Sequence, residues 1–73
     1  MTSIDTRIDY ADNALAIYLE MKRERRDGDA SIVDLITDLL HLAVSEGHDP
    51  AAILRMATMH QDAEISEAAQ PAD

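Results

Sequence analysis

The sequence predicts an all-α protein made of three short helices. Apolar residues recur at three- and four-residue spacing in three successive stretches, and turn or cap residues bound each stretch. The 73 residues include only two Gly, two Pro and two aromatics, Tyr10 and Tyr18. That is too few for an all-β chain of tight turns. Any core must therefore be built from Leu, Ile, Val, Met and Ala, which suits helices.

The first stretch runs from about Ile4 to Arg26. Ile8, Ala11, Leu15 and Tyr18 follow helical spacing, and Ala14, Ile17 and Met21 lie beside them and widen the stripe. Lys22, Arg23, Arg25 and Arg26 fall in the last turns, where cations complement the helix dipole. Asp27-Gly28-Asp29 ends the segment, with Gly28 as the expected C-terminal cap.

The second stretch opens at Ser31-Ile32-Val33-Asp34. This is the pattern in which a hydroxyl and a carboxylate three residues apart cap a helix start. Its polar stripe is narrow: Asp34, Thr37, Asp38, His41 and Ser45. The rest is apolar, and a helix apolar over most of its surface is covered on more than one side. Glu46-Gly47 ends it.

The third stretch begins at Asp49-Pro50, an N-cap followed by a proline at the first helical position. Ile53, Met56, Ala57 and His60 form one stripe, flanked by Leu54 and Ile65. The helix is expected to fray after about Ser66, leaving residues 67–73 as a disordered tail behind a single domain of residues 1–66. The connecting turns come out at about three residues each, forcing antiparallel or steeply crossed neighbours.

Three helices of this size can close a bundle. The second carries more apolar surface than two neighbours hide, so homodimerisation is expected to complete the fold. Ile32, Leu35, Ile36, Leu39, Leu40 and Leu42 are the expected partner or dimer interface.

Charge divides the chain. Residues 1–26 carry five acids and five bases, whereas residues 27–73 carry ten acids and one base, Arg55, which accounts for the net charge of -9. Free nucleic acid is thus an unfavourable partner, and a basic protein surface a favourable one. Asp34, Asp38, Glu46, Asp62 and Glu64 are the expected acidic face. The N-terminus shows no basic and apolar leader, and the apolar run from Ile32 to Val44 is too short and too polar to span a bilayer, so the expectation is a soluble, cytoplasmic chain.

Catalytic constellations are scarce. With no cysteine, thiolate chemistry is excluded. Ser3, Ser31, Ser45 and Ser66 lie at caps or helix ends without a glycine elbow, and Gly28 and Gly47 stand alone, so neither a Ser-His-Asp triad nor a phosphate loop can be assembled. Asp34, Asp38 and His41 share one face and offer a single carboxylate-x-x-His pair. A solvated polar stripe, with Asp34 capping at Ser31, is the preferred account of them. His48 reads as a solvated turn residue and His60 as a half-buried packing residue on the third stripe. The basic run Lys22-Arg23-Glu24-Arg25-Arg26 could meet phosphate or an acidic partner, but dipole compensation and pairing with nearby Glu explain it too.

Residues 31–62 carry a resemblance. Gly47-His48-Asp49-Pro50-Ala51-Ala52-Ile53-Leu54-Arg55-Met56-Ala57, with Leu39 to Ala43 before it, is similar to the later half of MazG-type all-α nucleotide pyrophosphohydrolases, where G-x-D-P-x-x-A-L-x-x-A leads into the last helix. Asp34 then matches the Asp of that family's E-x-x-D motif, and Glu20 and Glu24 match the outer acids of its E-E-x-x-E motif. Ser31 and Met21 replace the remaining acids, and the spacing from Glu24 to Ser31 is short for the family. The resemblance implies a four-helix-type core, dimerisation and magnesium held by Glu20, Glu24, Asp34 and Asp38. The lost acids imply a reduced or non-catalytic relative. The segment also resembles short uncharacterised proteins of phages and mobile elements. The leading expectation is a small acidic helical protein acting through protein–protein contacts, as a regulator, adaptor or phage-type inhibitor. It would be no enzyme and would need no cofactor. The alternative is a magnesium-dependent nucleoside triphosphate pyrophosphohydrolase.

Overall fold

A computed structural model describes residues 3–69 of the chain. Three helices follow one another: α1 (Ile4–Lys22), α2 (Gly28–Ser45) and α3 (Pro50–Ala69). The architecture is the expected all-α three-helix bundle, with no strand among the described residues. Each helix touches the other two.

Ser3 starts α1: its Oγ accepts from the backbone N–H of Thr6 at 3.2 Å. The helix stops earlier than the sequence predicts, at Lys22 rather than Arg26. Arg23 enters the left-handed region (φ 57°, ψ 44°). There its N–H bonds the Glu20 carbonyl at 3.1 Å and the N–H of Glu24 bonds that of Leu19 at 3.0 Å. This is the paired-bond helix stop normally built on glycine. After Met21 no apolar residue occurs until Ala30. A further turn would bury nothing, so tertiary packing gives no reason to extend the helix.

Gly28 is therefore not the cap of α1. It opens α2, at φ +48°. The predicted start at Ser31 is likewise displaced by three residues. Asp27 precedes the helix without a side-chain capping bond. Ser31 Oγ instead reaches back and accepts from the backbone N–H of Asp27 at 2.7 Å. Asp34 caps nothing; it points toward Lys22. At the other end Gly47 (φ +82°) makes the same stop as Arg23: its N–H bonds the Val44 carbonyl at 3.0 Å, and that of His48 bonds Ala43 at 2.8 Å.

Asp49 caps α3 as the sequence predicts, its Oδ1 accepting from the Ala51 N–H at 3.0 Å, with Pro50 at the first helical position. Helix α3 extends to Ala69, past the expected fraying point at Ser66, so Glu67, Ala68 and Ala69 are helical rather than tail. The remainder of the predicted tail, residues 70–73, lies outside the described residues. The turns span residues 23–27 and 46–49, longer than the three residues expected.

The core is small. Leu15 and Leu19 of α1 and Ala43 of α2 are its buried apolar residues, joined by Ser31 at 3% exposure. Leu35, Leu40 and Ala52 are half-buried around them. The molecule is also open: its radius of gyration is 14.5 Å, against about 11 Å for a compact chain of this length.

Candidate interaction surface

The six apolar residues expected at an interface all lie on α2, and none is buried. Ile32, Leu39 and Leu42 are each 52% exposed, Ile36 is 40% exposed, and Leu35 and Leu40 are half-buried. Ile32, Leu35, Leu39 and Leu42 follow a 3-4-3 spacing, which aligns them as one stripe along the helix. Its contact positions carry no charge.

A second stripe escaped the sequence reading, which merged it with the core-facing positions of α1. Tyr10, Ala14, Ile17 and Met21 follow a 4-3-4 spacing and point away from Leu15 and Leu19. Met21 is 79% exposed, and Tyr10 and Ile17 are exposed as well. The signal was present in the sequence: Ala14, Ile17 and Met21 sit more than a quarter-turn from the Leu15–Leu19 line.

Polar side chains tie α1 to α2. The Tyr18 hydroxyl donates to Asp38 Oδ2 in a short hydrogen bond. The Lys22 ammonium donates to the Tyr18 oxygen at 3.2 Å, sits 4.8 Å from the Tyr18 ring centroid, and lies 3.3 Å from Glu24 and 3.7 Å from Asp34. Asp38 raises the Tyr18 pKa above its ordinary value of 10.0, because its carboxylate accepts the phenolic proton; partial desolvation acts the same way. Lys22 is also pushed up, first by its bond to the Tyr18 oxygen and then by Glu24.

The acidic face predicted from sequence is thus divided. Asp34 and Asp38 are engaged from α1, and Glu64 pairs with Arg7 at 3.3 Å between α3 and α1. Glu46 and Asp62 are exposed and make no ion pair among the described residues. The basic run is divided too. Arg26 folds back onto α1, its Nη1 2.5 Å from Asp12 Oδ1 and its Nη2 3.3 Å from the Asp12 carbonyl. Arg23 serves the helix stop.

The carboxylates offered for magnesium do not converge. The Lys22 ammonium stands between Glu24 and Asp34, Tyr18 takes Asp38, and Glu20 sits exposed on α1. Among the described residues no group of three or more His, Asp or Glu side chains could hold a metal ion. Ser31, where the pyrophosphohydrolase pattern has Glu, is buried at 3% exposure, and its Oγ accepts from the backbone N–H of Asp27.

His60 differs from its expected role. It is exposed rather than half-buried, and lines a cleft of about 580 Å³ with Ile4 and Arg7 of α1 and Ala63, Glu64 and Glu67 of α3. A shallower groove continues from it along Ile53, Met56 and Ala57. His48 is exposed in its turn, as expected. No helix among the described residues is long and apolar enough to cross a membrane.

No protein-family model, no curated protein and no solved structure matches the chain.

Proposed function

We propose that this chain works by protein–protein contact, as a small regulator or adaptor that docks on a basic partner. One observation carries the reading. Half of the molecule is almost uniformly acidic, with ten acids and one base in residues 27–73, and the same half displays exposed Ile, Leu, Val and Met side chains. An interface needs an apolar centre and a complementary charged rim. Glu46, in the turn after α2, and Asp62, on α3, are exposed, as are the apolar side chains of Ile53, Leu54, Met56, Met59 and Ile65 on α3.

Charge would mainly set the rate and the choice of partner, and the apolar contacts the lifetime of the complex. The test is binding of the full chain to a panel of basic proteins at low salt and at about 0.5 M salt, where exposed charges are largely screened. Capture that weakens as salt rises, and that weakens further in a Glu46→Lys/Asp62→Lys variant, is expected. Failure to bind any basic protein at low salt refutes the reading.

A further inference from the structure

We infer that the α2 stripe of Ile32, Leu35, Leu39 and Leu42 is covered by the same stripe of a second copy, making a two-fold homodimer. The first argument is area. A folded chain of 8.1 kDa exposes about 4,500 Å² when compact, whereas this one exposes 6192 Å². The surplus is roughly 1,700 Å² per chain. If each of two copies hid only half of it, the interface would bury about 1,700 Å² in total, the size of a stable specific contact. The protomer's own core makes the same demand, since Leu15, Leu19 and Ala43 are its only buried apolar residues among those described.

The second argument is chemical. A two-fold contact brings one patch against itself, so the patch must be self-complementary. A stripe of Ile and Leu at 3-4-3 spacing satisfies that by knobs-into-holes packing. Charged residues at its contact positions would not, and it has none. Of the carboxylates beside the stripe, Asp34 and Asp38 are engaged by Lys22 and Tyr18 of the same chain, and the exposed Asp29 and Glu46 lie beyond its two ends. A basic partner has no such match on this stripe; its complement is the acidic surface elsewhere. Pairing α2 with α2 places two α1–α2 hairpins together as four helices, a common way to enclose helices too apolar to stand in water.

Each copy carries a charge of -9, so association works against long-range repulsion. Salt screens that repulsion and leaves apolar burial intact. The homodimer therefore tightens as salt rises, the opposite of docking on a basic partner. The two proposals can fail separately.

Light scattering on the full chain across a concentration series, at low and at about 1 M salt, tests the inference. A mass of about 16 kDa, twice the chain's 8.1 kDa, and at least as much dimer at high salt is expected. Leu39→Glu should give a monomer, whereas Met21→Glu, on the outward stripe of α1, should leave the dimer intact. Because Leu39→Glu could also unfold the chain, a second readout uses the absence of cysteine. Single Leu39→Cys and Met21→Cys variants are oxidised, and the first should form a covalent dimer and the second should not. A wild-type monomer at every concentration, a dimer that dissolves in salt, or crosslinking through residue 21 but not residue 39 overturns the inference.

Discussion

The hydroxyl of Tyr18 on α1 donates a hydrogen bond to the carboxylate of Asp38 on α2, twenty residues further along the chain. Lys22 completes the junction by donating to the same hydroxyl oxygen. A phenol can fill this place only while it keeps its proton. Asp38 raises its pKa for that reason, and a raised folded-state pKa means a contribution present below the unfolded value of 10.0 and lost as pH climbs through the folded value. Stability should hold level toward pH 10 and fall above it, when the phenolate faces the Asp38 carboxylate. In Tyr18→Phe the alkaline loss from this pair should vanish, together with a small loss of stability at neutral pH. Urea titrations of both proteins across the alkaline range check this, and the assignment is falsified if the two profiles are parallel.

Arg23 occupies a backbone conformation that costs a side chain about 1–2 kcal/mol. Glycine would relieve it at some cost in unfolded-chain entropy. Arg23→Gly should therefore stabilise the chain by up to about 1 kcal/mol. An increased urea midpoint is the expected observation.

Gly47 makes the equivalent stop at φ +82°, and nothing lies within 4 Å of where a Cβ would stand. The penalty for a side chain is then conformational alone. Gly47→Ala should destabilise by about 1–2 kcal/mol without altering the α2–α3 contact. Chemical shifts confined to residues near the turn, together with a lower midpoint, are the pattern to look for.

Leu19 is one of only three buried apolar side chains among the described residues, so its loss bears on nearly the whole protomer core. Leu19→Ala should cost about 2–5 kcal/mol, comparable to the entire stability of a domain this small, roughly 4–11 kcal/mol. Substantial loss of helical circular dichroism at 25 °C is expected. Retention of a cooperative transition within about 1 kcal/mol of the parent would contradict the account of the core.

If folding and dimerisation are coupled, the melting temperature depends on protein concentration, because dimer formation stabilises only the folded state. A tenfold dilution should lower the midpoint of the parent and leave that of a folded Leu39→Glu monomer unchanged.

Local chemistry alone determined much of this protein. The number of helices, the start of α3 at Asp49-Pro50 and the stop of α2 at Gly47 follow from periodicity and caps, which act over four residues or fewer and are legible in one dimension. So was the excess of apolar surface on α2, because a narrow polar stripe is a property of the helix itself. Tertiary structure decided the rest. That α1 ends at Lys22, that Ser31 is buried and that Asp34 faces Lys22 all depend on how α1 and α2 approach one another. The Tyr18–Asp38, Arg26–Asp12 and Arg7–Glu64 contacts join residues 20, 14 and 57 positions apart. No spacing rule reaches that far, because the crossing of the helices and the path of the turns set which long polar side chains can meet.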